Sequence, residues 1–542
     1  MLFDHGVFTS ESVSSGHPDK LSDQIADAIV DALLARDPQA RAACEVLAAG
    51  DRIDIVGEFR TTDPANFTAV EGRAEKIVRD TLRAAGYGDA ERDIDPETCT
   101  VDVRFRGQSP EIGSAIDRDT NSLGAGDQGM VFGYATDETD ELMPLPWLLA
   151  RDLLRTGDRL RREGQLPLRP DAKAQVMVRY RNGRPVAVTG AVLSWQHESD
   201  WPIADVRASL EDRIVDSVIP HSLGRSDDFA VLINPGGAWT QGGPLADAGL
   251  TGRKIVVDTY GGACPNGGGA FSGKDPSKVD RAGAYAARRV ARHVVSAGLA
   301  RRCTVEIAYA IGTPEPISLR VELHGTGAIS EVVLEEAIRE VFDLTPSGMI
   351  RELALDRPIY YATAREGHFG AVSGSVHTWE TDDRIEDLLL AVRHRSGSHN
   401  PVTGPTLRPS TYSRDSGDEP ASEPEDDLPS RWHVVAHDEL TDAPGRMEER
   451  VFEVRYLGAN TWELSTGGSD FLGDEDKELT TDIVSTDKLI ELLATFDEGW
   501  EPPAWEYNSD ERPLSPMLQS LVKVAETVGA TDCVRRLREG KA

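Results

Sequence analysis

Apolar residues recur at helical spacing over residues 17–36, where Leu21, Ile25, Ala28, Ile29, Ala32 and Leu33 share one face. The spacing predicts a helix that Asp37-Pro38 ends. Alternating apolar and polar positions at 52–56 and 100–105 predict half-buried strands. An amphipathic helix is expected between them, over 69–85, stopped by Gly86. Residues 175–181 and 184–193 read as two strands about Asn182-Gly183, a hairpin signal. Further on the pattern predicts helices at 206–218, 281–297 and 329–342, and strands at 254–258, 304–311 and 317–323. No close sequence repeat is visible. Strands and helices mix without strict βαβ alternation, so the expected class is α+β rather than a doubly wound sheet.

The pattern stops at 396–430. That stretch is rich in Ser, Pro, Gly and acid and nearly free of apolar residues. It cannot bury enough surface to offset its ordering entropy and reads as a disordered linker. Order signals resume at Trp432, with strands expected at 451–457 and 462–464 and helices at 485–494, 516–528 and 532–538. Residues 431–542 are therefore expected to form a small α+β accessory domain.

Charge sharpens this division. The 542 residues carry a formal net charge of −34. Residues 401–542 hold 14 basic and 31 acidic residues, half of that net charge in a quarter of the chain. Such a balance argues against a nucleic-acid coat, because phosphate backbones reward clustered Lys and Arg. The five cysteines are widely spaced with no C-x-x-C, which reads as reduced thiols in a cytoplasmic protein. No signal peptide and no membrane span are expected.

Three clusters carry candidate chemistry. Gly16-His17-Pro18-Asp19-Lys20 opens the first helix, where amide N–H groups and the dipole favour an anion. Gly124-Ala125-Gly126-Asp127-Gln128-Gly129 permits a sharp turn or a close approach to a ligand. Residues 267–280, GGGAFSGKDPSKVD, combine a glycine loop with Lys274 and Lys278, and fail the Walker pattern at Asp275. Asp275 and Asp280 are candidate Mg²⁺ ligands there. With Lys173, Arg253 and Lys254, these residues suggest a Mg-nucleotide enzyme or binder. A generic phosphotransferase remains an alternative at this point.

The motifs in order resemble S-adenosylmethionine synthetase (methionine adenosyltransferase). They are Ser10-Glu11-Ser12-Val13, Gly16–Lys20, GAGDQG at 124–129, FGYATDETDELMPLP at 132–146, LRPDAKAQV at 168–176, LTGRKIVVDTYGG at 250–262, the 267–281 loop and GHFG at 367–370. The likeness covers about 4–392. It implies three related α+β domains around a pseudo-threefold axis, at 4–110, 121–240 and 241–392. It implies a homodimer or dimer of dimers with active sites between subunits. The implied reaction joins ATP and L-methionine, then hydrolyses the triphosphate to phosphate and pyrophosphate. Two Mg²⁺ ions and K⁺ are the implied cofactors.

The resemblance also implies roles by position. His17 stands near the leaving oxygen. Asp19 and Asp280 hold Mg²⁺, and Glu45 holds K⁺. Asp171, Lys173, Trp239, Asp247, Arg253, Lys254, Ala270 and Lys274 serve ATP, with His17, Lys173, Arg253 and Lys274 as the catalytic set. Glu58, Gln108, Asp247, Ala270 and Lys278 serve methionine, and Asp127 lies at the active site. Residues 107–118 correspond to a gating loop. The chain departs from the family's frequent Arg-Phe with Ala238-Trp239, and has Ser15 where Glu is frequent. Trp239 offers a larger stacking face than Phe, whereas Ala238 cannot replace an arginine's charge. These departures and the acidic tail motivate an alternative: a synthetase-like nucleotide-binding regulatory protein with weak or altered activity. The tail has no implied role beyond a possible unknown partner.

Overall fold

The computed structural model describes residues 5–108, 117–119, 122–219, 224–371 and 376–396, together with the backbone of four strands between 433 and 485. The chain divides into two compact units, residues 1–415 and 416–542.

The first unit repeats one order of elements. A strand leads into a long helix, an antiparallel hairpin, a second helical segment and, twice out of three times, a further strand parallel to the hairpin. The first round is β1 (His5–Val13), α1 (Pro18–Leu34), β2 (Arg41–Ala49), β3 (Arg52–Arg60), α2 (Pro64–Glu71), α3 (Ala74–Ala85) and β4 (Thr100–Gly107). The second is β5 (Gly129–Thr136), α4 (Leu145–Arg162), β6 (Leu168–Arg181), β7 (Arg184–His197), α5 (Ile203–Leu210) and β8 (Arg225–Ile233). The third is β9 (Gly249–Leu250), α6 (Val279–Ser296), β10 (Arg302–Tyr309), β11 (Ser318–Glu322) and α7 (Glu331–Val341). The class is α+β. The repeat is one of topology, which hydrophobic periodicity preserves without sequence identity.

The first strand of each round joins another round's sheet. β1 pairs with β6, β5 pairs with β10, and β9 pairs with β2. The resulting sheets are β1-β6-β7-β8, β9-β2-β3-β4 and β11-β10-β5. Each long helix packs across the sheet that receives an exchanged strand: α4 on β6 and β1, α6 on β5 and β10, α1 on β2 and β9. The exchange runs in a cycle, so the three rounds share one continuous apolar core.

Several expected elements take a different form. The 69–85 helix is interrupted at Gly72-Arg73, and α2 begins earlier, where Asp63 caps the amide of Ala65 at 2.9 Å. The 206–218 helix passes through a π-helical turn at Glu211–Val215. The expected strand at 254–258 is a helical turn, Ile255–Asp258. Its short apolar run carries no period that separates the two forms. Trp147 Nε1 donates to Val257 O at 3.0 Å and Lys20 Nζ to Asp258 at 2.6 Å, contacts that hold the turn inward.

The second unit contains a four-stranded antiparallel sheet of His433–Ala443, Arg446–Gly458, Thr461–Asp470 and Thr480–Ser485, in that order. The two expected strands fall within its second and third members. Ser485 ends the fourth strand, and the rest of the expected helices, like most of the linker, lies outside the described residues. No described helix is long and apolar enough to cross a membrane.

Candidate functional site

The loop between β1 and α1 is stapled to the start of β6. Ser14 N donates to Ala172 O at 2.9 Å, Ser14 Oγ to Pro170 O at 2.7 Å, and Ala172 N to Ser14 Oγ at 2.9 Å. A Cβ on Gly16 would lie 2.4 Å from Pro170, so only glycine lets the two segments approach this closely. Register places Lys173 opposite Val13. Asp171, Lys173 and His17 are thereby brought together from a sequence separation of about 155 residues.

His17 caps α1, and its Nδ1 accepts from Asp19 N at 3.1 Å. The ring proton of the neutral form therefore sits on Nε2. Burial, then Lys254 and Lys173, push the imidazole down to about 3. His17 is thus a neutral N–H donor across the physiological range.

Asp19 is buried and accepts from Leu250 N at 2.9 Å, with Lys254 Nζ on its other oxygen and Arg253 Nη1 at 3.5 Å. Burial pushes its carboxyl up, but Lys254 and the Leu250 amide outweigh this and hold it below the usual carboxylate range. Lys173 makes no ion pair among the described residues and stands on the outward face of its sheet. Asp171 Oδ2 accepts from Gly243 N at 3.0 Å, whereas Oδ1 is buried with no hydrogen-bond partner among the described residues. Burial pushes this carboxyl up to about 7. Trp239 is half-buried and fixed at both ends: its amide donates to His197 Nε2 at 3.2 Å and its indole to Gln241 O at 2.7 Å. Asp247 is exposed beside this loop.

A second group gathers about the glycine loop. Lys274 Nζ lies 2.6 Å from Asp280 Oδ2, and Gly269 lies against the same carboxylate. Ala270 is half-buried, and its Cβ lies close to Gly252, beside Arg253. Asp127 is exposed, with Oδ1 accepting from Gln128 N at 2.7 Å. Asp275, a candidate Mg²⁺ ligand in the sequence, faces the interior and ties the glycine loop to β2. It is fully buried and takes Ser277 N, Ala42 N and Lys278 Nζ. Burial alone would raise its carboxyl, but Lys278 and Arg41 hold it down. Its role is to fix the loop, and the same contact engages Lys278.

The remaining candidates lie on the second sheet. Glu58 binds Arg106 at 3.0 Å. Gln108 N donates to Phe59 O, while its Oε1 is buried with no hydrogen-bond partner among the described residues. Glu45 is exposed, opposite Val56. Residues 109–116 of the expected gating loop lie outside the described residues.

Asp19 and Asp280 each offer a single hard carboxylate. Such donors suit Mg²⁺, which takes one or two carboxylates together with phosphate oxygens and water. Among the described residues no three His, Cys, Asp or Glu converge as a metal cage.

Sequence reading missed the other acids of α1. Asp19, Asp23, Asp27 and Asp31 are four residues apart and share one face. Asp23 Oδ1 accepts from Gly252 N at 2.8 Å, next to Arg253 and Lys254, and Asp23 also binds Lys20 Nζ at 3.1 Å. Asp27 Oδ1 accepts from Gly273 N at 2.9 Å, next to Lys274. The signal was the i, i+4 repeat of acid in a helix otherwise apolar enough to be buried.

Residues 5–110 match the family described as S-adenosylmethionine synthetase, N-terminal domain, residues 122–239 its central domain, and residues 241–381 its C-terminal domain. The S-adenosylmethionine synthase of a Nitratiruptor species is 49% identical over 383 residues, covering 70% of this chain and 97% of that protein. That of Wolinella succinogenes is 48% identical over 382 residues, covering 70% of this chain and 96% of that protein. With all three domain types matched in order, the chain belongs to the S-adenosylmethionine synthetase family.

Proposed function

We propose that this protein makes S-adenosyl-L-methionine from ATP and L-methionine and hydrolyses the triphosphate to phosphate and pyrophosphate. The observation that carries the reading is the convergence of His17, Asp19, Lys173, Arg253 and Lys254 on one helix start, within a chain of this family. The thioether sulfur is nucleophilic without losing a proton. Its lone pair forms the bond to ribose C5′ as the C5′–O bond breaks, and the electron pair leaves with the triphosphate. The demand on the protein is to stabilise that growing negative charge. Lys173, Arg253 and Lys254 supply fixed positive charge, and His17 supplies a neutral Nε2–H donor. Asp171 Oδ1 is a spare acceptor for a ribose or adenine donor, and Trp239 a face for adenine. Asp247 and Ala270 complete the expected substrate contacts.

Asp19 and Asp280 are the residues that would hold Mg²⁺, and Glu45 is the one that would hold K⁺. Bound Mg²⁺ neutralises phosphate charge in the leaving group. Glu58, Gln108 and Lys278 are assigned to methionine and Asp127 to the active-site rim.

A second copy of the chain is expected to complete the site. Val7 and Leu232 on the first sheet and Met130 on the third are more than half exposed. Lys173 shares the outward face of the first sheet with Val7, and Glu45 shares that of the second with Leu47 and Val56. Charged site residues set among exposed apolar ones suit a subunit interface over the sheets. The acidic second unit is proposed as an accessory domain beyond 396, and cytoplasmic location is proposed from the substrates.

The deciding experiment incubates purified full-length protein with ATP, L-methionine, Mg²⁺ and K⁺. Formation of S-adenosylmethionine with equal release of phosphate and pyrophosphate is expected. ATP binding without product would support the regulatory alternative. Activity gained by a 1–395 truncation would make the second unit inhibitory.

A further inference from the structure

Two arginines of α6, Arg281 and Arg288, are seven residues apart and fully buried, each in a bidentate pair with a fully buried acid. They differ in what else they hold. Arg288 binds Glu380 and the carbonyls of Tyr134, Glu141 and Leu142. None of these residues is assigned to the active site. Arg281 binds Asp27 through Nη1 and Nη2, both at 2.7 Å. Its remaining N–H groups reach Lys274 O at 3.0 Å, Thr363 Oγ1 at 3.2 Å and Tyr285 Oη at 3.1 Å. All five donors are used, and the guanidinium lies 4.0 Å over the Tyr360 ring.

The Asp27–Arg281 pair grips both sides of the Gly273–Lys274 peptide. Asp27 takes the Gly273 amide and Arg281 takes the Lys274 carbonyl. Cys44 N holds the Gly273 carbonyl at 2.9 Å. Gly273 has φ +82°, and a Cβ there would lie 1.9 Å from Cys44 O. Lys274 is therefore left with side-chain freedom only, and its ammonium meets Asp280, the residue preceding Arg281. One buried ion pair thus sets the origin of a triphosphate-binding lysine and of a metal-binding carboxylate together.

We propose that Asp27 and Arg281 are positioning residues for the triphosphate end of the active site, acting through Lys274 and Asp280 without touching substrate. This rests on the reading of the function given above. A misplacement of about 1 Å in such a group costs on the order of a hundredfold in rate.

The test compares two pairs with equal burial and different tasks, in the full-length protein. Asp27→Asn and Glu380→Gln each leave a buried arginine without its counter-charge, so both lower the melting temperature. Calorimetric titration with tripolyphosphate in Mg²⁺ separates them. Asp27→Asn is expected to weaken binding at least about tenfold and to raise the KM for tripolyphosphate hydrolysis, while Glu380→Gln stays within about twofold of wild type. If the acid variants do not fold, Arg281→Lys against Arg288→Lys makes the same comparison with charge retained. Equal tripolyphosphate affinity in both variants of a pair and in wild type overturns the proposal. Should wild type make no S-adenosylmethionine, the functional reading fails, and the tripolyphosphate titration still decides the role of the pair.

Discussion

The sharpest prediction concerns the protonation of His17. Nδ1 is occupied by the amide of Asp19, and burial with Lys254 and Lys173 brings the imidazole to about 3. Its folded value lies below the ordinary 6.5, so the unfolded chain takes up a proton first as pH falls. Any stability linked to neutral His17 is fully present above 6.5 and is lost as pH drops from there towards 3. Between about pH 6.5 and 9 the side chain stays a neutral donor, and kcat/KM for ATP, which reports the free enzyme, carries no His17 ionisation. His17→Asn retains an oxygen able to cap the Asp19 amide, so the helix start survives. What it loses is the Nε2–H proposed above as a donor to the leaving group. Removing one preorganised donor of this kind costs about 2.7–4 kcal/mol, or about 10²–10³ in kcat. The assay follows S-adenosylmethionine formation from about pH 5.5 to 9 in both proteins, with the substrate's own phosphate ionisation common to the two. Turnover of His17→Asn within about threefold of wild type would refute the donor role. An acid limb near pH 6.5 present in wild type and absent in the variant would refute the neutral tautomer.

Other consequences are equally direct. Trp239→Ala removes the proposed adenine platform and is expected to raise the KM for ATP by about 5- to 150-fold, the equivalent of about 1–3 kcal/mol of stacking, with kcat little changed. Gly16→Ala forces a Cβ into Pro170 at 2.4 Å; a loss of about 1–3 kcal/mol in denaturant unfolding is expected, with weaker ATP binding as Lys173 shifts. Cys44 and Cys303 are buried, and burial raises both thiols far above their ordinary value. Peptide mapping after thiol labelling of the native protein is therefore expected to find both unmodified, and labelled only after denaturation.

The site was partly legible in the chain and partly not. His17 and Asp19 could be placed because a helix start fixes what lies beside it, and Pro18 with a following apolar stripe marks that start. Lys274 and Asp280 were visible as a glycine loop entering a helix. Asp275 and Asp280 could not be told apart by type or spacing. One is sealed under Ala42 and Ser277, and the other faces Lys274. Asp23 and Asp27 were hidden in plain view, because charged residues in an amphipathic helix ordinarily read as its solvent face. Here the helix has almost no solvent face, and the backbone amides of Leu250, Gly252 and Gly273 fill the place of water. Arg281 and Arg288 were unreadable for the same reason, since nothing local announces that a partner acid will arrive from another segment. The turn at 254–258 shows the opposite failure, an apolar run whose form is set by Trp147 and Lys20 rather than by its own period.

By itself the sequence determined the local states. Periodicity gave α1 and α6 but not α4, alternation and Asn182-Gly183 gave the β6–β7 hairpin, and the acidic Ser/Pro-rich stretch marked a break in the pattern between 396 and 430. These follow from backbone geometry and from which face must leave water, both properties of neighbours along the chain. Only the tertiary structure decided which strand completes which sheet, which acids are buried and which lysines gather about His17. Those outcomes depend on segments hundreds of residues apart meeting in a low-dielectric interior. There each buried charge must find a partner, and the sequence order of the partners carries no information about who meets whom.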